Sequence, residues 1–105
     1  MSEVVVVLST VPDDESAERI ARTLVDEKLV ACVNLLPPMT SIYRWKGTVE
    51  KDTERQLVMK TTQAQVGPLK KRLRELHSYE LPEFLVLGVA AGDPDYLSWV
   101  TSSLK

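Results

Sequence analysis

The sequence has little of what most often carries chemistry or targeting. Cys32 is the only cysteine and His77 the only histidine among 105 residues. One thiol excludes an intrachain disulfide, and a cysteine-based metal cage would need other ligands or other subunits. A reducing, cytoplasmic setting suits such a chain. No charge of one sign dominates: Lys+Arg number 13, Asp+Glu 15 and the net charge is -2, so no positive field draws in a phosphate backbone and nucleic acid is a poor partner. The longest apolar stretch, Val4 to Leu8, is far below the roughly 20 residues of a membrane span, and no basic-apolar-small series marks a secretory signal. There is no glycine-rich phosphate loop, no H-E-x-x-H, no paired C-x-x-C and no Ser/His/Asp set. Enzymatic chemistry and an organic cofactor therefore find no support.

What is present suits one domain spanning residues 1–105, because 44% apolar and 27% charged residues are globular values and the length closes a single core. Glu3 to Thr10, rich in valine and bounded by Pro12, predicts a strand buried on both faces. Asp13, Asp14 and Glu15 offer capping oxygens and negative charge, and Ala17, Ile20, Ala21, Leu24 and Val25 recur at helical spacing. Leu29 to Leu36 returns to a strand pattern, which the Pro37-Pro38 pair must break or bend. Ser41 to Lys46 is extended and aromatic, and a second stretch carries Val49, Leu57, Val58, Thr61 and Thr62. Together they predict an antiparallel hairpin turning between Gly47 and Asp52. Val66, Leu69, Leu73 and Leu76 form one helical stripe. Phe84 to Ala91 is a further strand, Gly92-Asp93-Pro94 a turn and helix start, and Tyr96 to Leu104 a short last helix. The order βαββαβ predicts an α+β, ferredoxin-like sandwich with an antiparallel sheet, two main helices on one face and a short C-terminal helix. The other face stays uncovered, and association is the simplest remedy.

Four local blocks carry a resemblance. They are Ala31-Cys32-Val33-Asn34, Ser41-Ile42-Tyr43-Arg44-Trp45-Lys46-Gly47, His77-Ser78-Tyr79-Glu80-Leu81-Pro82-Glu83 and Tyr96-Leu97-Ser98-Trp99. In this order and spacing the chain resembles the CutA family of divalent-cation tolerance proteins from about Val5 to Trp99. The resemblance implies a ferredoxin-like subunit in a tight homotrimer, with long hairpin strands pairing across subunits and an architecture similar to the PII signalling proteins. It also implies a part in divalent-metal homeostasis, copper above all.

The candidate residues each admit a plain reading and a functional one. Cys32 is either a small buried hydrophobe or a soft ligand for Cu(II) or another divalent cation. His77 either caps the end of its helix, where a cation suits the macrodipole, or binds a metal or ligand with Glu83. Pro82 extends residue 81, so the chain leaves the helix sharply and could aim Glu83 into a cleft. Glu80, Tyr79 and Lys60 are candidates for that cleft, Lys60 as the neutraliser of a small anionic ligand. Tyr43 and Trp45 should share one strand face, with Arg44 and Lys46 on the other. Base stacking is one use for them, and a subunit interface through Tyr43, Arg44 and Trp45 is the use that their residue types and the resemblance favour. Three functions follow as expectations: a trimeric metal-binding tolerance protein, a PII-like sensor holding a small anion or nucleotide between subunits, and an assembly scaffold with no small ligand.

Overall fold

Five strands and three helices follow one another in a computed structural model that describes residues 3–105. Strand β1 (Val4–Val11) lies at the middle of the sheet, and its burial alternates: Val5, Val7, Ser9 and Val11 are buried, whereas Val6, Leu8 and Thr10 are only half-buried. The expectation of burial on both faces is thus corrected, since the two main helices cover one face only and the C-terminal helix reaches the other face only at its Val4 end. Helix α1 (Asp14–Asp26) starts where Asp13 accepts a hydrogen bond from the Ser16 amide at 2.7 Å, as an N-cap should. Its buried stripe is Ala17, Ile20, Ala21 and Leu24, while Val25 faces outward. Helix α2 (Val66–Leu76) follows a single 3-10 turn and buries Leu69 and Leu73. Both helices pack on the face of β1 that carries Val5, Val7 and Val11, closing a core with Leu57 and Met59.

The Pro37-Pro38 pair splits the second strand of the plain βαββαβ order in two. Strand β2 (Cys32–Leu35) ends before the prolines, β3 (Met39–Trp45) begins after them, and both pair antiparallel with β4 (Thr48–Thr62). The Leu29–Leu36 run is shortened because Lys28 takes a positive φ of 60° and the amide of Leu29 still bonds the helix carbonyl of Leu24. The hairpin turn is tighter than the sequence predicts. Lys46 and Gly47, with φ of 50° and 84°, make a two-residue turn with both φ positive, and Val49 to Asp52 already belong to β4.

Strand β5 (Leu85–Gly88) pairs with β1 and is shorter than the Phe84–Ala91 run. The sheet order β2-β4-β1-β5 is antiparallel throughout and is the ferredoxin-like arrangement, with β3 attached to β4 beyond the sheet's end. Helix α3 (Pro94–Ser102) begins within the Gly92-Asp93-Pro94 turn expected to start it, at an Asp93 cap that accepts from the Tyr96 amide. Val100 packs with Val4 and Ala31 in a second small cluster. The projecting hairpin makes the molecule long, 44 × 26 × 24 Å.

Candidate functional site

Residues paired across an antiparallel sheet share a face, so the register fixes what lies opposite the helices. One row there is Cys32, Lys60, Val6 and Leu87, and the next is Asn34, Val58, Leu8 and Leu85. Neither α1 nor α2 covers these rows, α3 reaches only their Cys32 end through Tyr96, and Leu85 and Leu87 are 52% and 49% exposed. Thr10 and Gln56 form the following row, and the same face continues along the hairpin through Glu54, Asp52, Tyr43 and Trp45.

At that end the hairpin meets the segment that leaves α2. Pro82 sets its extended course, and a cleft of about 770 Å³ opens between the two, lined by Tyr43, Trp45, Glu54, Gln56, Tyr79, Glu80, Glu83 and Phe84 among others. Polar contacts order the walls. The Tyr79 hydroxyl donates to Glu54 Oε2 at 2.7 Å, and the Tyr43 hydroxyl donates to Asp52. Gln56 Nε2 donates to the Ser9 carbonyl at 2.6 Å and to Glu83 Oε2 at 2.8 Å. That hydrogen bond to Asp52, followed by burial and the nearby carboxylates, pushes the Tyr43 phenol up to about 12. Burial, then the bond to Glu54, raises Tyr79 as well. Both hydroxyls therefore stay protonated as donors to carboxylates at neutral pH.

His77 is buried and caps the end of α2, but its ring serves a different purpose from the expected cap. Nε2 lies 2.6 Å from the Thr10 carbonyl, and Nδ1 accepts from the Tyr79 amide at 3.1 Å. An acceptor Nδ1 beside a carbonyl-bound Nε2–H defines the neutral tautomer, with both nitrogens engaged. His77 thus pins the Ser78–Phe84 segment to β1, and its ring lies tilted against that of Tyr79 with centroids 4.6 Å apart.

The predicted residues fall into two places. Tyr43, Trp45, Tyr79, Glu80 and Glu83 line the cleft, whereas Cys32 and Lys60 lie four residues along β4 from Gln56, roughly 13 Å at ~3.3 Å per residue. The half-buried Cys32 sulfur stands 4.0 Å from the Tyr96 hydroxyl. Lys60 Nζ donates to Asn34 Oδ1. Among the described residues, no group of three or more His, Cys, Asp or Glu is placed to hold a metal ion. One chain alone therefore does not bring Cys32, His77 and Glu83 together. Arg44 faces away from the cleft, its Nη1 3.4 Å from the Gly47 carbonyl. Lys46 was expected beside Arg44, but the left-handed turn ends the alternation there. Its amine reaches Glu80 at 3.6 Å and sits 5.5 Å from the Trp45 ring centroid.

Sequence reasoning missed Asp52, Glu54 and Gln56. The signal for them was their period-two spacing, which puts them on the same sheet face as Tyr43 and Trp45 and which the expected turn up to Asp52 concealed.

Comparison with known proteins agrees with this geometry over almost the whole chain. The family model described as CutA1 divalent ion tolerance protein matches residues 5–103. The divalent-cation tolerance protein CutA of Thermus thermophilus is 50% identical over 95 residues, covering 90% of this chain and 92% of its own. The crystal structure of CutA from Xylella fastidiosa superposes with a TM-score of 0.96 at 44% identity, covering 99% of this chain and 100% of that one. A structure from Archaeoglobus fulgidus, described as a periplasmic divalent cation tolerance protein CutA, has a TM-score of 0.94 at 30% identity over 97% of this chain and 99% of that one. Among the described residues no helix is long and apolar enough to cross a membrane.

Proposed function

The chain belongs to the CutA1 divalent-ion tolerance family, and from that premise we propose that it works as a homotrimer which binds copper, or a similar divalent cation, where subunits meet. The observation that carries this reading is the uncovered sheet face. Leu85 and Leu87, half in water, flank half-buried Val6, Leu8 and Val58, and on the other face of the projecting hairpin Ile42 and Val49 are 69% and 60% exposed. Burying a leucine or valine side chain fully is worth about 1.5–3 kcal/mol, so covering this strip with a second and third copy is strongly favoured. Tyr43, Arg44 and Trp45 would then lie at the subunit contact, a composition that buried interfaces favour.

Assembly also bears on the metal. A single thiolate or carboxylate cannot close a site, and the donors of one chain are too far apart, so a bound ion needs ligands from more than one copy. Cys32, with its half-buried sulfur, is the soft donor of the set. Glu83 is the hard one. His77 can join only by giving up its bonds to Thr10 and Tyr79. The reading is of a binding protein with no catalytic step, in the cytoplasm, where the single thiol stays reduced.

Calorimetry with a copper salt tests it. Saturable binding near one ion per chain, weakened at least about tenfold by Cys32→Ser, is the expected result. Equal heats from the native protein and the Cys32→Ser, His77→Ala double variant would overturn direct binding.

A further inference from the structure

The proline break between β2 and β3 interrupts the ladder, and one side chain bridges the gap. β2 stops at the Leu35–Leu57 pair and β3 resumes at Met39–Glu54, so Leu36, Pro37 and Pro38 stand opposite only Arg55 and Gln56. The extra residue makes a bulge, and the two prolines bring no N–H to it. The Leu36 amide still donates to the Gln56 carbonyl at 3.0 Å. Arg55 supplies donors to the carbonyls beside the break: Nε donates to Leu36 at 2.8 Å and Nη2 to Leu35 at 3.3 Å. Its remaining nitrogen, Nη1, donates to Asp14 Oδ1 in the first turn of α1 at 2.9 Å. A planar guanidinium can serve three acceptors at once, which no other side chain does.

The place of Arg55 matters as much as its bonds. It pairs with Val11, the last residue of β1, and beyond that pair β4 has β3 as its only neighbour. The hairpin therefore leaves the body of the molecule at Arg55, whose side chain is only 19% exposed. From the opposite face the hairpin and its base are held by Gln56 to Glu83, Glu54 to Tyr79 and Lys46 to Glu80. On the helix side, among the described residues, Arg55 is the one polar side-chain link between the hairpin's base and a helix. We propose that Arg55 is a positioning residue for assembly: by tying the proline break and the first turn of α1 to β4, it fixes the direction in which the hairpin projects and so the contact that the hairpin makes with a second copy. Association through the hairpin is the premise, and Arg55 need not touch the partner to govern it.

Arg55→Met keeps an apolar stem and removes all three bonds. Hydrogen exchange of the full chain, run where native and variant have the same mass, should show amides of residues 39–54 exchanging at least about tenfold faster in the variant, with those of β1 and α2 unchanged. Subunit exchange, followed by native mass spectrometry after mixing isotope-labelled and unlabelled protein, should also run at least about tenfold faster. Arg55→Lys, which keeps the charge without the fork, should fall between native and Met in both measurements. Asp14→Asn, an exposed change outside the hairpin, should speed exchange in the same segment by about threefold, and it reads the anchor even if Arg55→Met fails to fold. Exchange that rises evenly over the whole chain would reduce Arg55 to a contributor to stability and overturn the proposal. Unchanged exchange over residues 39–54, or unchanged subunit exchange beside a loosened hairpin, would overturn it too. A native protein that forms no mixed species and has one chain's mass overturns the premise of association, and with it the assembly role, whereas amide exchange still decides whether Arg55 holds the hairpin.

Discussion

Tyr43 shows how a single hydrogen bond, and Tyr79 how burial with one, sets the chemistry of a side chain here. The Asp52 carboxylate accepts from Tyr43, and burial followed by the bond to Glu54 acts on Tyr79, so both folded-state pKa values lie above the ordinary value of 10.0, Tyr43 at about 12. A raised acid pKa means that the folded state favours the protonated form. The stabilisation is complete below pH about 10 and is lost as pH rises through the folded-state values. Removing the acceptor should undo the shift. Asp52→Asn is expected to bring one tyrosine titration, followed by absorbance, down toward about 10 and to leave the Tyr79 step high. An unchanged titration would mean that the Tyr43–Asp52 bond is not what holds the proton.

His77 invites a similar check, because it was a metal-ligand candidate and its ring is committed to the fold. His77→Ala leaves a buried carbonyl at Thr10 and the Tyr79 amide without partners, and should cost about 2 kcal/mol in urea unfolding. Cys32→Ser, which removes no strong hydrogen bond, should cost much less while affecting copper binding more. Equal stability of the two variants would contradict the pinning role of the ring. The block containing His77, Tyr79 and Glu83 was legible from the sequence, whereas the use of each residue was not. Spacing can show that residues cluster, but the partners of the ring lie in β1, 67 positions earlier in the chain.

At the scale of elements, the helices were the most legible. Asp13 caps α1 as its position suggests, and the stripes Ala17–Leu24 and Leu69–Leu73 point into the core. Leu69→Ala should cost about 3 kcal/mol, the usual loss for a fully buried leucine, and a loss below 1 kcal/mol, on the order of surface changes, would mean that the core is not closed there. The strands were read less well, for a physical reason. Alternation reveals a strand only when one face is buried by its own chain, and residues 48–53 of β4 lie out in the hairpin with almost no burial to mark them. The run Thr48 to Asp52 therefore looks like a loop until the tight turn at Lys46-Gly47 is seen to place it in register with β3. Gly47 is the residue that this turn depends on. Gly47→Ala meets no steric obstacle but must adopt φ near +84°, so a loss of about 1 kcal/mol is expected. No loss would imply that the turn relaxes to another type.

The whole molecule poses the larger question, since a sheet whose two main helices lie on one side leaves most of the other to be accounted for. The βαββαβ order foretold that open face, and the register now names its occupants from Cys32 across to Leu87. What no single sequence could show is which donors an assembled protein would bring together. Cys32 and His77 stand at different ends of the sheet, and only a symmetric arrangement could set one chain's residue beside another's. The apolar strip and the metal reading thus stand together on association. Leu87→Glu places a charge in that strip away from the cleft, and it should shift the protein toward monomers with a midpoint of unfolding that depends on concentration.

Sedimentation of the native protein at micromolar concentration tests association most directly. Three chains of 11.8 kDa predict a single species of about 35 kDa, unchanged on dilution across the micromolar range. A species of one chain's mass, with Leu85 and Leu87 left in water, would contradict it.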